Sequence, residues 1–465
     1  QLNPDQQSCF TQIVTAIETD PQTAHFYLQG PGGTGKTFLY KTLCLYFRGQ
    51  GKTVLCVAST GIAALLLPDG RTSHTQFKIP IQLHESSVSG VTKQSALATI
   101  LRKTDLIIWD EVPMQHKYCF EVVHRLLVDV RSVTDDILFG GVPVILGGDF
   151  AQILPVVPRG SRADIVTACL QRSFVWPRLK QLRLRTNMRV REGEHGQEFV
   201  RWISSLPYDP AMNGMVSIPD YINQPASITD LTGHIYPPDL LSRAATDPSV
   251  FRGRCLLTTL NTTVAELNRL IIGRLPGQLR TYRSIDSLDT DETLDGSLHE
   301  LPVEQLQSID LPSIPLSQLD LKIGSPIILL RNLCPREGLC NGTRMVVTGL
   351  RTYCIEARLL GGDFDGQLQV IPRIKLSATD ESLGIPLSRK QFPVRLCFAM
   401  TINKSQGQSF HTVGLDLRTP VFTHGQFYVA VSRTSSVEGL SILLPEENRS
   451  RTLNVTYPEV LANLT

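Results

Sequence analysis

Short runs that are apolar throughout recur along the chain, each closed by polar or glycine-rich residues. They are "HFYL" (25–28), "TVLCVAST" (53–60), "DLIIWDE" (105–111), "VPVILGGD" (142–149), "LKQLRL" (179–184), "CLLTTLN" (255–261), "VGLDL" (413–417) and "LSILL" (440–444). Such uniformly apolar runs predict strands buried on both faces. Helix-like stretches separate them, "TFLYKTLCLYF" (37–47) being the clearest. Strands alternating with helices indicate parallel sheets with helices on both sides. One such sheet with its helices takes roughly 200 residues, and a chain of 465 residues offers two sets. The expected class is α/β with two parallel-sheet domains, and no repeat at a fixed period is visible.

The stretch between the two sets differs in charge and pattern. From Ser284 to Leu321 there is no Lys or Arg but nine acidic residues, among them Asp286, Asp289 and Asp295. From Gly324 to Leu396 ten basic residues face six acidic ones, with short β-like runs and turns such as "CNGTRMVVTGL" and "LLGGDFDGQLQVI". The acidic part reads as a solvated linker. The basic part reads as a small β-barrel inserted in the second α/β domain, and its basic excess alone does not identify a DNA-facing module.

Composition narrows the classes further. A chain that is 42% hydrophobic and 19% charged, with net charge +2, is ordinarily globular, so any basic surface for a nucleic acid must be local. The ten cysteines contain no C-x-x-C pair, which favours reduced structural thiols in an intracellular protein over zinc or disulfides. No segment reaches the roughly eighteen apolar residues of a membrane span, and no signal peptide is visible, so no membrane partner is expected. The chain begins at Gln1 rather than a methionine and is expected to be cut from something longer.

Chemistry concentrates in "LQGPGGTGKTFLYKTL" (28–43), where Gly30, Gly35, Lys36 and Thr37 fit G-x-x-x-x-G-K-[ST] between a predicted strand and helix. The loop Gly30, Pro31, Gly32, Gly33, Thr34, Gly35 can curl its backbone N–H groups toward a nucleotide's phosphates. Lys36 would reach the outer phosphates and Thr37 would hold Mg²⁺ through its hydroxyl. The helix N-terminus adds an anion-favouring field. Residue frequencies produce a chance match in a chain this long about once in a hundred, so a nucleoside triphosphate site is expected. Asp110-Glu111 closes the run "LIIW"; Asp110 would bind Mg²⁺ through water, and Glu111 would orient or deprotonate the attacking water. Gln152 in "LGGDFAQILPV" would sense the γ-phosphate. Arg189, ending "LRTNMR", and Arg433, ending "YVAVSR", each follow an apolar run expected to pack in the second α/β domain. A guanidinium fork suits charge developing on a transferring phosphoryl group. A guanine-binding switch is the rival class, but Gln406 stands where "INKSQ" would need an aspartate for guanine.

Taken in order, "LNPDQQ", "GPGGTGKT", "ASTGIAALLL", "GRTSHTQFKIP", "LIIWDEVPM", "LGGDFAQILPV", "LRTNMR", "AMTINKSQGQSF" and "GQFYVAVSR" resemble the motifs of superfamily 1B helicases. The likeness is greatest to the petite-integration-frequency (PIF) helicases. "GRTSHTQFKIP", "DEVPM", "GLCNGTRMVV" and "RKQFPVRLCFAMTINKSQGQSF" carry a narrower likeness, to the helicase part of Helitron rolling-circle transposons. The resemblance implies a RecA-like domain at 1–185 with a wedge insertion near 78–100. A second RecA-like domain would take 186–280 and 397–465, interrupted at 281–396 by an acidic linker (284–321) and an SH3-like barrel (324–396).

It further implies ATP and Mg²⁺ as cofactors, single-stranded and forked duplex DNA as partners, 5′→3′ travel and a nuclear location. By position it assigns Gln6 to the adenine edge, Gln406 and Gly407 to the ATP side, Gln152 as γ-phosphate sensor, and Arg189 and Arg433 as arginine fingers. Thr60, Gly61, His74, Thr401, Lys404 and Ser405 would lie along the single strand, where hydroxyls, lysine and glycine suit phosphate contacts. Phe77 or His74 would offer a ring for base stacking. Val112-Pro113 replaces the commoner Ile-Ser and Val431 a usual Leu, neither at an expected contact. The Helitron likeness also implies a replication-initiator nuclease domain in the full-length protein. No two of the ten histidines have H-x-H spacing, so this chain is not expected to cut DNA. Intact Lys36, Asp110, Glu111 and Arg433 oppose an inactive DNA-binding remnant.

Overall fold

A computed structural model describes residues 1–188, 195–288, 303–311, 314–377, 387–434 and 436–462. Its first sheet comprises β1 (His25–Gln29), β2 (Val54–Ala58), β3 (Arg71–Thr72), β4 (Leu106–Asp110), β5 (Val144–Gly148) and β6 (Lys180–Arg183), in the order β3-β2-β4-β5-β1-β6. Every pairing is parallel. β1, β4 and β5 are buried at every position, as strands between two helix layers must be. Their carboxyl ends carry the glycine loop, Asp110-Glu111 and the 149–152 loop, so one sheet edge gathers the expected chemistry. The run ahead of Arg189 departs from expectation: β6 pairs with β1 at the edge of this first sheet rather than packing in the second domain. Arg189 itself lies outside the described residues. The expected wedge runs in turns and bends from 78 to 95, then forms the helix Ala96–Arg102 against the helix Lys117–Arg131.

A ribbon of β7 (Gly214–Ser217) and β22 (Arg451–Asn454) borders the second sheet. That sheet holds β8 (Arg254–Thr258), β19 (Ala399–Thr401), β20 (Thr412–Asp416) and β21 (Leu440–Leu443), all parallel in the order β19-β8-β20-β21. β19 is too short to show as a run in the sequence; it hides inside "AMTINKSQGQSF".

The inserted region contributes β9 (Arg280–Arg283), β10 (Ile285–Leu288), β11 (Gln318–Leu321), β12 (Pro326–Leu329), β13 (Arg344–Leu350), β14 (Cys354–Leu359), β15 (Leu368–Pro372), β16 (Ile374–Ser377), β17 (Leu387–Gln391) and β18 (Val394–Leu396). Five of these form an antiparallel sheet, β15-β14-β13-β12-β18. The β9–β11 ribbon adds Tyr282, Leu319 and Leu321 to that sheet's core.

The described parts of the acidic stretch, 284–288, 303–311 and 314–321, are not the solvated linker their composition suggests, while 289–302 lies outside the described residues. β10 pairs with β17, and Leu306, Leu311, Ile314, Leu376 and Leu387 make a small core of their own. Arg389, fully buried, donates to Asp286 Oδ1 at 3.0 Å and Oδ2 at 2.8 Å, and to the carbonyls of Leu306, Ile309 and Pro315. A guanidinium can be buried only when its donors are matched in this way. The acids therefore include a structural anchor.

Candidate nucleotide-binding and strand-binding site

β1 ends at Gln29, and the loop beyond it enters the helix Lys36–Gly49. Gly30 N donates to Gly148 O at 3.0 Å, tying the loop to β5. Gly35 adopts φ +82°, and a Cβ there would stand 2.3 Å from Gln6 Nε2, so both backbone and space demand glycine. Gln6 caps its own helix through Oε1, which accepts from Asn3 N at 3.0 Å, while Nε2 donates to Thr34 O at 3.1 Å. The residue expected at the adenine edge thus braces the glycine loop. The Lys36 ammonium folds over the loop and donates to Gly30 O.

A cavity of about 170 Å³ opens over this loop. The first domain lines it with Lys36, Thr37, Asp110, Glu111 and Gln152; the second supplies Gly407, Ser409 and Arg433. Asp110 is buried, and its Oδ1 has no hydrogen-bond partner among the described residues. Burial first, and the charge of Glu111 second, push its pKa up to about 7. A dication would relieve both penalties, and the Thr37 hydroxyl shares the cavity, so the donor set fits Mg²⁺. Glu111 is held at φ 56°, ψ 36°, left-handed backbone that costs a non-glycine residue about 1–3 kcal/mol and is maintained by its surroundings. Ser59 Oγ donates to the Glu111 carbonyl at 2.5 Å. Arg433 is buried, donating to Val429 O at 3.0 Å, Gln408 O at 3.1 Å and Ser432 Oγ at 3.0 Å. Gln406 Nε2 lies 3.5 Å from Gln152 Oε1, across the two domains.

Residues not singled out from the sequence hold these halves together. Asp149, fully buried, accepts from Gln29 Nε2 at 2.9 Å, from Ala151 N at 3.1 Å and from the hydroxyl of Tyr428 in the second domain at 3.0 Å. His424 Nε2 donates to Phe150 O at 2.8 Å, and its Nδ1 accepts from Tyr457 N at 2.8 Å. Burial lowers the His424 pKa to about 4. Their signal was present in the strings: Asp149 lies in "LGGDFAQ", Tyr428 in "GQFYVAVSR", and Ser409 two residues past Gly407.

The expected strand contacts are more scattered. Thr60 Oγ1 accepts from Ala63 N at 3.2 Å, capping the helix Gly61–Leu65. Gly61 backs onto the inserted domain, where a Cβ would lie 3.0 Å from Asn341 O. His74 is half-buried, and burial lowers its pKa. Its Nδ1 lies 3.5 Å from the amide of Gln115, which also accepts from Trp109 Nε1 at 2.8 Å. Phe77 corrects the stacking expectation: it is fully buried, with its ring 5.5 Å from that of Trp109, and no base can reach it. Thr401 and Ser405 are buried, and the Ser405 hydroxyl is committed to Ile402 O at 2.6 Å, which removes it from the expected phosphate contacts. Lys404 remains accessible.

The comparison with known proteins agrees with this geometry. The family described as PIF1-like helicase matches residues 1–208, and the description DNA helicase Pif1, 2B domain, matches residues 304–350. Over these two segments the chain is PIF1-like. It is 27% identical over 478 residues to the ATP-dependent DNA helicase Pif1 of Psychrobacter sp., covering 92% of this chain and 67% of that protein. It is 29% identical over 437 residues to the ATP-dependent DNA helicase PIF1 of Danio rerio, covering 90% of this chain but only 58% of that relative. The chain thus spans little more than half the length of that helicase. Among solved structures it resembles a Pif1 helicase from work on DNA unwinding at forked double-stranded DNA by two coordinating Pif1 helicases. The TM-score is 0.67 at 25% identity, over 95% of this chain and 92% of that one.

Proposed function

We propose that this chain is an ATP-driven DNA helicase motor that moves 5′→3′ on single-stranded DNA and opens forked duplexes. One observation carries the reading: a single cavity gathers Lys36, Thr37, Asp110, Glu111 and Gln152 from one parallel-sheet domain and Gly407 and Arg433 from the other. Phosphoryl transfer asks for these parts: a lysine on the outer phosphates, a metal carboxylate, a water-orienting carboxylate and an arginine for the developing charge.

Mg²⁺ would be held by Thr37 and Asp110, and its chemistry there is to neutralise phosphate charge. Glu111, fixed in its left-handed turn, orients the attacking water and takes up its proton. Gln152 hydrogen-bonds the γ-phosphate from the first domain. Arg433 approaches from the second, its guanidinium already oriented by Val429 O and Gln408 O. Because the two sets of groups belong to different domains, a bound triphosphate draws the domains together, and its hydrolysis removes that bridge.

The names of the relatives support ATP and DNA as the substrates. Motif order supports the 5′→3′ direction. The companion nuclease domain, the transposon setting and a nuclear location rest on the narrower Helitron motifs alone. The deciding experiment compares unwinding of duplexes carrying a 5′ or a 3′ single-stranded tail, with ATP turnover measured alongside. Unwinding from the 5′ tail only is expected. Preference for the 3′ tail overturns the direction, and ATP turnover indifferent to single strands overturns the motor.

A further inference from the structure

A second cavity, about 340 Å³ in volume, is lined by Thr401 and Lys404, by the helix Asn261–Arg274 through Arg269, by Arg395, and by Asp310 and Asp320 of the acidic segment. Arg395 is gripped by that segment: its Nη2 donates to Asp310 Oδ1 at 2.6 Å, Leu311 O at 2.7 Å and Ile314 O at 2.8 Å. Asp310 keeps 55% of its side chain exposed while making this contact. Lys404 lines the same cavity. Partial desolvation first, and the Arg395 charge second, lower its pKa, while Cys397 and Asp310 act the other way.

A carboxylate meets arginine and lysine through the same short charge-assisted hydrogen bonds as a phosphate. On the described part of the acidic segment, Asp310 and Asp320 bring negative charge to the cavity, facing Arg269, Arg395 and Lys404. Arg395 and Lys404 line the cavity together with Arg269, and the Asp310 carboxylate already occupies Arg395.

We propose that Asp310 is a built-in competitor for nucleic-acid phosphate, holding the Arg395–Lys404 position until an incoming single strand displaces it. The inference rests on the single-strand reading above and adds a residue that reading does not contain. Exchange of one anion for another weakens equilibrium binding and lowers the barrier to releasing a phosphate. A motor that must let go of its track at every step gains from both.

The test is equilibrium binding of oligothymidylate to the whole chain, followed by fluorescence anisotropy across a salt series. Asp310→Asn keeps an oxygen to accept from Arg395 while removing the charge. Asp310→Ser, which removes the charge differently, guards against a folding artefact, and thermal melts accompany both. Either variant should bind several-fold to tenfold tighter than wild type at low salt. The log–log salt slope should stay close to that of wild type, because the strand makes the same phosphate contact once Asp310 is displaced. The gain should shrink when Lys404→Ala is combined with Asp310→Asn. Glu446→Gln, an exposed acid remote in sequence, should change little. Unchanged or weaker binding in both folded Asp310 variants overturns the competitor role while leaving strand binding intact. An equal gain from Glu446→Gln overturns it as mere net charge. Absence of strand binding by the wild type overturns the strand reading itself, and the competitor with it.

Discussion

Gly425→Ala tests whether the two domains must meet as closely as they do. Gly425 sits at φ 69°, ψ 0° at the start of the helix Gln426–Val431, and left-handed backbone costs alanine about 1–2 kcal/mol. The added Cβ would also lie 2.3 Å from Ala151 O and 2.7 Å from the carbonyl carbon of Gln152. An ordinary carbon–oxygen contact is about 3.3 Å, so the helix and the 149–152 loop must part by about 1 Å. That loop carries Gln152, and the chain two residues beyond the helix carries Arg433. Misplacement by about 1 Å at a reacting centre costs roughly a hundredfold in rate. Stability should fall by about 1–3 kcal/mol, the usual range for overpacking, and strand-stimulated ATP turnover by about a hundredfold. Nucleotide affinity should stay within a few-fold, because the glycine loop, Lys36 and Thr37 all belong to the first domain. Steady-state turnover, nucleotide titration and chemical denaturation of the same preparation supply the three numbers. A folded Gly425→Ala protein that turns over ATP within threefold of wild type would refute the claim that this contact sets the catalytic geometry.

Other perturbations probe single residues. Arg433→Ala should cut turnover by about a thousandfold or more with ATP still bound, and Arg433→Lys should recover little of it; loss of ATP affinity in step with turnover would make it a ground-state binding residue instead. Asp286→Asn leaves the buried Arg389 guanidinium without its counter-charge and should cost about 3–5 kcal/mol by denaturant titration, most of it regained in Asp286→Leu/Arg389→Met. A single variant as stable as wild type would contradict a folded acidic segment. His424 is neutral in the folded protein, its pKa lowered to about 4 from 6.5, so the unfolded chain takes up the proton first. Stability should therefore rise with pH between about 4 and 6.5 and be lost on acidification, by roughly 3 kcal/mol from this imidazole. Denaturation across that window should show a shallower pH dependence in His424→Gln, and an unchanged slope would remove His424 from the acid response.

What was legible in the sequence follows from what the chemistry demands locally. Phosphate cradling needs glycines, a lysine and a hydroxyl at fixed spacing, and a strand must deliver Asp110 to its sheet edge, so both appear as strings. The second sheet was legible except for β19, whose three residues give no periodicity to detect. Phe77 misled because a ring on the five-residue helix Ser73–Phe77 reads alike whether it faces Trp109 or solvent. The acidic stretch misled for a different reason. Its anchor pairs Asp286 with Arg389, 103 residues apart, and composition within one window cannot show a partner supplied by another. The Asp149–Tyr428 contact crosses 279 residues and was invisible for the same reason, although both residues lay inside recognised strings.

The same distances explain how little protein is needed to link the two cavities. Thr401 and Lys404 line the larger one, Gly407 and Ser409 the nucleotide cavity, and a single 3₁₀ turn, Ile402–Ser405, joins them. On the first domain the helix Gly61–Leu65 is capped by Thr60 at one end and turns Ala63 into the nucleotide cavity. A Cβ on Gly407 would lie 3.9 Å from both Ala63 and Ile62, so the two connecting elements touch. Neither is long enough to bend, and packed interiors move between discrete arrangements rather than yielding continuously. Any change in domain separation at the nucleotide cavity must then displace Lys404 relative to Thr60 as a nearly rigid shift. Under the proposed function, the step along the strand is set by how far the cleft opens, and no longer chain of coupled residues is required.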